Sequence, residues 1–279
     1  MLRIRTMTIH DVPLGMRLKG LAHWNQTEAD WRRFLALAGD GAFVAELDGS
    51  AVATTVAFRF DSIGWIAMVL VDPQVRRQGI ATRLMEHALE YLEQQGVKTA
   101  RLDATPAGRR VYQKLGFVAE YELARLEGAA AGGELREGVR PMRPADLPQV
   151  LAIDREVTGT NRRRLLEALI AEQPAAIRVF AAAGGVSGYL MFREGSRATQ
   201  IGPAAALEPD AGLALVDDAL GRCASGPVFI DIPTANSPAI QWAESRGLVP
   251  QRHFTRMRRG AAVEDRPLQL WASSGPEKG

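Results

Sequence analysis

Apolar residues along this chain follow two periods, and the points where one gives way to the other mark its elements. Residues 66–71 form an unbroken apolar run of the length of a buried strand. Asp72 and Pro73 end it. Beyond them Ile80, Leu84, Ala88 and Leu92, flanked by Met85 and Leu89, keep the helical spacing that turns one apolar stripe toward a core. Upstream, residues 43–49 read as a strand closing on an Asp-Gly turn into a second strand. Both patterns return later in the chain. Residues 4–13, a strand entering a helix marked by Asp11 and Pro13, are echoed by residues 139–148 with Asp146 and Pro148, and the hairpin is echoed at 179–185. Each half reads as strand, two helices, two hairpin strands, fourth strand, long helix, fifth strand, helix and final strand. The expected fold class is therefore α+β, a mixed sheet flanked by helices, present twice.

Boundaries follow from composition shifts. The expected units are a first domain at 1–127, a glycine- and alanine-rich linker at 128–138, a second domain at 139–260, and a polar tail at 261–279 expected to be disordered near its end. With 279 residues and 47% apolar residues the chain can build two cores. A net charge of +2 calls for neither nucleic acid nor an anionic membrane as partner. The single cysteine, Cys223, excludes an intrachain disulfide framework, fits a reducing cytoplasm and reads as core filler. No stretch approaches the roughly twenty apolar residues of a membrane helix, and the opening residues read as a strand rather than a signal peptide, so a cytoplasmic location is expected.

The segment between the apolar strand and the long helix has the features of a phosphate cradle. Gly79 lets backbone approach an anion closely, Ala81 keeps the wall low, and the first amides of the new helix point partial positive charge outward. Arg76 and Arg77 stand at the helix entry, and Tyr112 follows about thirty residues later, four before Gly116-Phe117. In this order these residues resemble the GNAT family of acyl-CoA N-acyltransferases, over roughly residues 3 to 258. The family's pyrophosphate pattern, Arg/Gln-x-x-Gly-x-Gly/Ala, falls on Arg76, Gly79 and Ala81 without a gap.

The resemblance implies a cofactor site for acetyl-CoA, with no metal. Arg76, Arg77, Gln78, Gly79, Ile80, Ala81 and Thr82 would hold the pyrophosphate. Backbone at Val69 would face the acyl carbonyl and backbone at Val71 the pantetheine arm. Thr105 replaces an asparagine common in the family, which weakens that contact to the arm. Tyr112 is implied as the general acid for the leaving thiolate. The glutamate that many members carry near the start of the fourth strand is missing from residues 64–68, so a water relay through Glu46 or Asp103 is expected, with His23 a further possibility. Trp24, Asn25 and Gln26 stand where the family shapes its acceptor pocket; alternatively Thr27 caps the second helix while Trp24 and Trp31 pack inward.

The second copy keeps the shape of this plan and loses its chemistry. Gly212 and Ala214 align with the cradle, but Pro209 replaces the basic residue, Glu208 and Asp210 would repel a phosphate, and Ala243 replaces the tyrosine. Trp242, His253 and Arg256 are each expected either to reach the first half's acceptor site or to be structural, and Arg162, Arg163 and Arg164 to form a solvated helix face. The resemblance thus implies a tandem GNAT enzyme, an N-acetyltransferase acting on the amine of a small molecule or amino-acid derivative by direct attack, as a monomer or homodimer. A protein or peptide acetyltransferase, or an acyl-CoA sensor without turnover, are the rival readings.

Overall fold

The computed structural model describes residues 1–279 except 130–132, 135, 183, 224 and 225. The first half runs β1 (Leu2–Thr6), α1 (Val12–Leu21), α2 (Glu28–Ala38), β2 (Ala42–Leu47), β3 (Ser50–Phe60), β4 (Ile63–Val71), α3 (Ile80–Gln94), β5 (Thr99–Ala104), α4 (Pro106–Lys114) and β6 (Val118–Ala129). The second repeats the order as β7 (Val139–Pro141), α5 (Leu147–Thr158), α6 (Arg163–Glu172), β8 (Ile177–Ala182), β9 (Gly185–Arg193), β10 (Thr199–Ala206), α7 (Pro209–Arg222), β11 (Pro227–Pro233), α8 (Ser237–Ser245) and β12 (Val249–Arg259). A further strand, β13 (Leu270–Ala272), follows. Of the expected linker, residues 128–129 continue β6, while 130–132 and 135 lie outside the described residues, as does Ala183 of the second hairpin.

Local chemistry explains why both halves start alike. Arg5 on β1 grips Asp11 with two N–H groups at 2.8 and 2.7 Å, and Arg140 on β7 grips Asp146 at 2.6 and 2.9 Å. In each half the aspartate also accepts a backbone amide three residues earlier, which fixes the turn into the first helix. The α3 stripe is buried as its spacing requires: Ile80, Leu84, Met85, Ala88, Leu89 and Leu92.

Among the described residues the thirteen strands form one sheet, and its order shows an exchange. The path runs β1-β2-β3-β4-β5-β12-β6-β11-β10-β9-β8-β7, so each half's final strand lies across the midline, β12 beside β5 and β6 beside β11. Two buried ion pairs weld the exchange, Arg256 on Asp103 at 2.8 and 2.9 Å and Arg125 on Asp231 at 2.7 and 2.8 Å. One apolar cluster also crosses between halves, joining Trp31, Phe34 and Phe58 to Val150, Leu165 and Tyr189.

Two expectations are corrected here. The end of the tail is packed: residues 270–275 and 277–279 are buried. β13 pairs antiparallel with β10, and the Ser273 amide donates to the Asp231 carbonyl of β11 at 2.8 Å, so the tail fills the space where β10 and β11 diverge. Arg162 is likewise no solvated side chain. It is 2% exposed, bound to Asp154 and to the carbonyls of Lys278 and Gly279, because the tail and α5 close over it.

Candidate active site

β4 and β5 pair in parallel only at 63–65 against 99–101 and then separate. From Ile66 to Val71 the cleft-side edge of β4 has no partner strand and lines a cavity of about 1000 Å³. Within this stretch β4 bulges. Met68 and Val69 together stand opposite Thr55, and Met68 takes φ 54°, a left-handed conformation uncommon outside glycine. Thr54 and Thr55 hold the bulge by donating their hydroxyls to the carbonyls of Met68 and Ala67 at 2.9 and 3.3 Å.

At one end of the cavity lies the cradle. The Asp72 carboxylate accepts the Gln74 amide at 3.0 Å and Arg17 at 2.6 Å, fixing a short turn before Arg76. Arg77 and Gly79 have φ 64° and 77°, and Gly79 caps α3. A Cβ built on Gly79 would meet nothing within 4 Å. Ile80, Ala81 and Thr82 line the same end, and their first-turn amides precede the first helical bond, from the Arg83 amide to the Gly79 carbonyl at 3.1 Å. A cradle with this open space and these amides fits the pyrophosphate of an acyl-CoA. Of the expected pyrophosphate residues only Gln78 does not line the cavity.

Tyr112 stands on the opposite wall, its ring edge-on to Phe117 at 6.1 Å. Burial pushes its phenol up to about 12, so it stays protonated at neutral pH. Its position depends on Gly108, one turn earlier, where a Cβ would come within 2.8 Å of the tyrosine ring. Thr105 lines the cavity as well, and its hydroxyl oxygen caps α4 by accepting the Gly108 amide at 3.3 Å.

The structure separates the remaining expected site residues. Trp24 and Gln26 line the cavity, while Thr27 caps α2 and Trp31 is core, so both readings of this loop are realised. Asn25 does not line it. Its amide binds the Ala198 carbonyl at 3.0 Å and accepts the amides of Arg197 and Ala198, clamping a loop of the second half. Glu46 is also placed elsewhere, paired with Arg5 at 2.6 Å near the sheet's outer edge. Asp103 does line the cavity, but both its oxygens are taken by Arg256, which leaves it a poor proton relay. His23 is exposed and absent from the lining.

Of the second-half candidates, Trp242 donates to Asp217 at 2.9 Å inside its own core, His253 is exposed, and Arg256 lies over the Trp65 ring. The side chains that reach the cavity are Arg252 and Phe254, joined by Arg125 from β6 and by Pro276 and Glu277 from the tail. Arg252, Phe254 and Arg256 fall at every second position of β12 and so share one face of it, a signal readable in the strand. No local pattern announces the tail residues.

Among the described residues the second copy shows no equivalent cavity wall. Only Leu207 and Glu208 separate β10 from α7, so the cradle loop is missing altogether, and Gly212 lies inside the helix rather than aligning with Gly79. The Trp271 indole fills the space over it, 1.9 Å from where a Cβ would stand. Among the described residues no group of three or more His, Cys, Asp or Glu side chains could hold a metal ion, and no helix is long and apolar enough to cross a membrane.

Comparison with known proteins places both halves in one family. Residues 14–117 match the model of the acetyltransferase (GNAT) family, and residues 150–272 match that of an acetyltransferase (GNAT) domain. An uncharacterized N-acetyltransferase of Archaeoglobus fulgidus is 36% identical over 102 residues, 34% of this chain and 67% of the relative. The uncharacterized N-acetyltransferase YitH of Bacillus subtilis is 24% identical over 227 residues, 80% of this chain and 79% of its own. The crystal structure of a candidate acetyltransferase from Pyrococcus horikoshii superposes with a TM-score of 0.86 at 25% identity, covering 100% of this chain and 96% of that one. The chain belongs to the GNAT family of N-acetyltransferases and carries two such domains in tandem.

Proposed function

We propose that the first half binds acetyl-CoA and acetylates the primary amine of a small molecule, while the second half serves as the wall of the acceptor site and binds no cofactor. One observation carries this reading. One continuous cavity is lined by the α3 cradle, β4, Tyr112 and a floor of Arg252, Phe254 and the tail, and a floor closed by another domain favours a small acceptor over a protein surface.

When bound, acetyl-CoA supplies the activated acetyl thioester. The chain's own groups do the rest. Amides of the cradle hold the pyrophosphate, and the open edge of β4 near the Val69 bulge offers backbone N–H groups to the carbonyl oxygen, where negative charge grows during transfer. One N–C bond forms and one C–S bond breaks, so one proton leaves the neutral amine for solvent water and one reaches sulfur. Tyr112 holds the second of these on its phenol.

The test is calorimetric titration with acetyl-CoA, followed by thiol release against a panel of small amines and of peptides. One acetyl-CoA per chain and turnover of small amines are expected. Turnover of peptides alone would move the acceptor class, and binding without thiol release across both panels would leave a sensor.

A further inference from the structure

The floor of the cavity holds three polar groups that the fold leaves incomplete. Glu277 is 3% exposed; its Oε1 accepts from Arg193 at 3.0 Å and Lys278 at 2.7 Å, while Oε2 is buried without a partner. Gln26, also 3% exposed, has its Oε1 buried without a partner. Arg252 is half-buried, and among the described residues its guanidinium has no hydrogen bond or ion pair. All three line the same cavity.

None of these is explained by the needs of the fold. Buried acceptors are almost always satisfied in native structures, by protein groups, ordered water or a ligand, and these two belong to residues that line the cavity. Arg252 faces Arg125 in register across β12 and β6, and Arg125 is already committed to Asp231 by two bonds. Burial first and the Arg125 charge second make the Arg252 guanidinium less comfortable as a cation, which an incoming anion would relieve. Glu277, by contrast, stays ionised: burial works against its charge, but Lys278 and Arg193 outweigh it and hold the carboxyl below its usual range. Its placement is rigid as well. The Trp65 indole donates to the Pro276 carbonyl at 3.2 Å, and the Lys278 ammonium sits over the Phe34 ring at 5.1 Å.

Building on the transferase reading above, we propose that these groups form the acceptor subsite and select an amine that also carries an oxyanion, carboxylate or phosphate. The Glu277 carboxylate and the Gln26 carboxamide, whose residues line the cavity, receive the N–H groups of the amine, and the Arg252 fork takes the oxyanion. The tail thereby has two tasks. It fills the second half's cleft with Trp271 and delivers a carboxylate to the first half's site.

The test uses the 279-residue chain saturated with CoA and titrated calorimetrically with matched pairs. These are free amino acids and β-alanine against their amides, and phosphoethanolamine against ethanolamine. At least one oxyanion-bearing amine is expected to bind tenfold or more tightly than its partner, and whether a carboxylate or the phosphate wins identifies the oxyanion. Arg252→Met should erase that preference without lowering the melting temperature, since among the described residues Arg252 makes no hydrogen bond or ion pair to lose. Glu277→Gln should weaken both members of the pair. No preference in any pair, or a preference surviving in Arg252→Met, overturns the subsite. The acetyl-CoA isotherm and thiol release of the unsubstituted chain report separately on the transferase reading. Acetyl-CoA binding with turnover of amines that lack an oxyanion would sink the subsite alone; failure to bind acetyl-CoA would sink both.

Discussion

Replacing Gly79 by alanine separates the cost of strain from the cost of a blocked site. Gly79 has φ 77°, where an L-residue is strained by about 1–2 kcal/mol. A Cβ there meets nothing within 4 Å, so no steric cost adds to the strain. For a chain of this size each kcal/mol lowers the melting temperature by roughly 2–4 °C, which predicts a drop of about 2–8 °C. Binding should suffer by a different route. The methyl projects into the open cradle, where a pyrophosphate must approach to hydrogen-bond distance of the α3 amides, and acetyl-CoA affinity should fall at least tenfold, about 1.4 kcal/mol. Thermal melts and calorimetry on the same preparation measure both. Affinity within twofold of the unsubstituted chain, with the melting temperature lowered as expected, would refute the assignment of this turn to the pyrophosphate. A far larger drop in melting temperature would show that the glycine serves packing instead.

Three further expectations follow from the same geometry. Gly212→Ala should behave in the opposite way. Overpacking against Trp271 costs about 1–3 kcal/mol or more, partly offset by about 1 kcal/mol of helix propensity, while one acetyl-CoA still binds per chain with unchanged affinity; two sites per chain would contradict the plugged cleft. Tyr112→Phe keeps the ring and removes the proton, so kcat should fall roughly a hundredfold with little change in acetyl-CoA affinity; turnover at the original rate would leave Tyr112 a packing residue. Acid should destabilise the seam between the halves. Burial would raise the Asp30 carboxyl, but Arg193, Lys278 and Arg33 hold it at about 2 against an ordinary 3.8, so its contribution is present above about pH 4 and lost as pH falls toward 2. That contribution is about 2 kcal/mol, and a denaturant midpoint that falls equally between about pH 5 and pH 2 in Asp30→Asn would assign the acid sensitivity elsewhere.

What could be read from the sequence is what neighbours along the chain decide among themselves. The turn before α3 lies within a dozen residues and consists of one left-handed glycine and one free helix end, so its shape was readable from spacing. The α3 stripe and the Arg5–Asp11 and Arg140–Asp146 turns are equally local, and they carried the duplication. Tyr112 was singled out by the family resemblance of its spacing to Gly116-Phe117, whereas its contact with Gly108 appears only once the helix places one above the other.

The acceptor end was decided by the tertiary structure. Asp103 read as an available carboxylate until the exchange of β6 and β12 set Arg256 against it. Arg162 read as solvated until the tail closed over it, and the tail read as disorder because nothing in its polar composition shows that β10 and β11 diverge far enough to accept Trp271. Arg252, Gln26 and Glu277 come from three distant segments, and their incomplete bonding exists only where those segments meet. Periodicity reports which face of an element is buried, but the identity of the partner across a midline depends on strand order, which no local pattern carries.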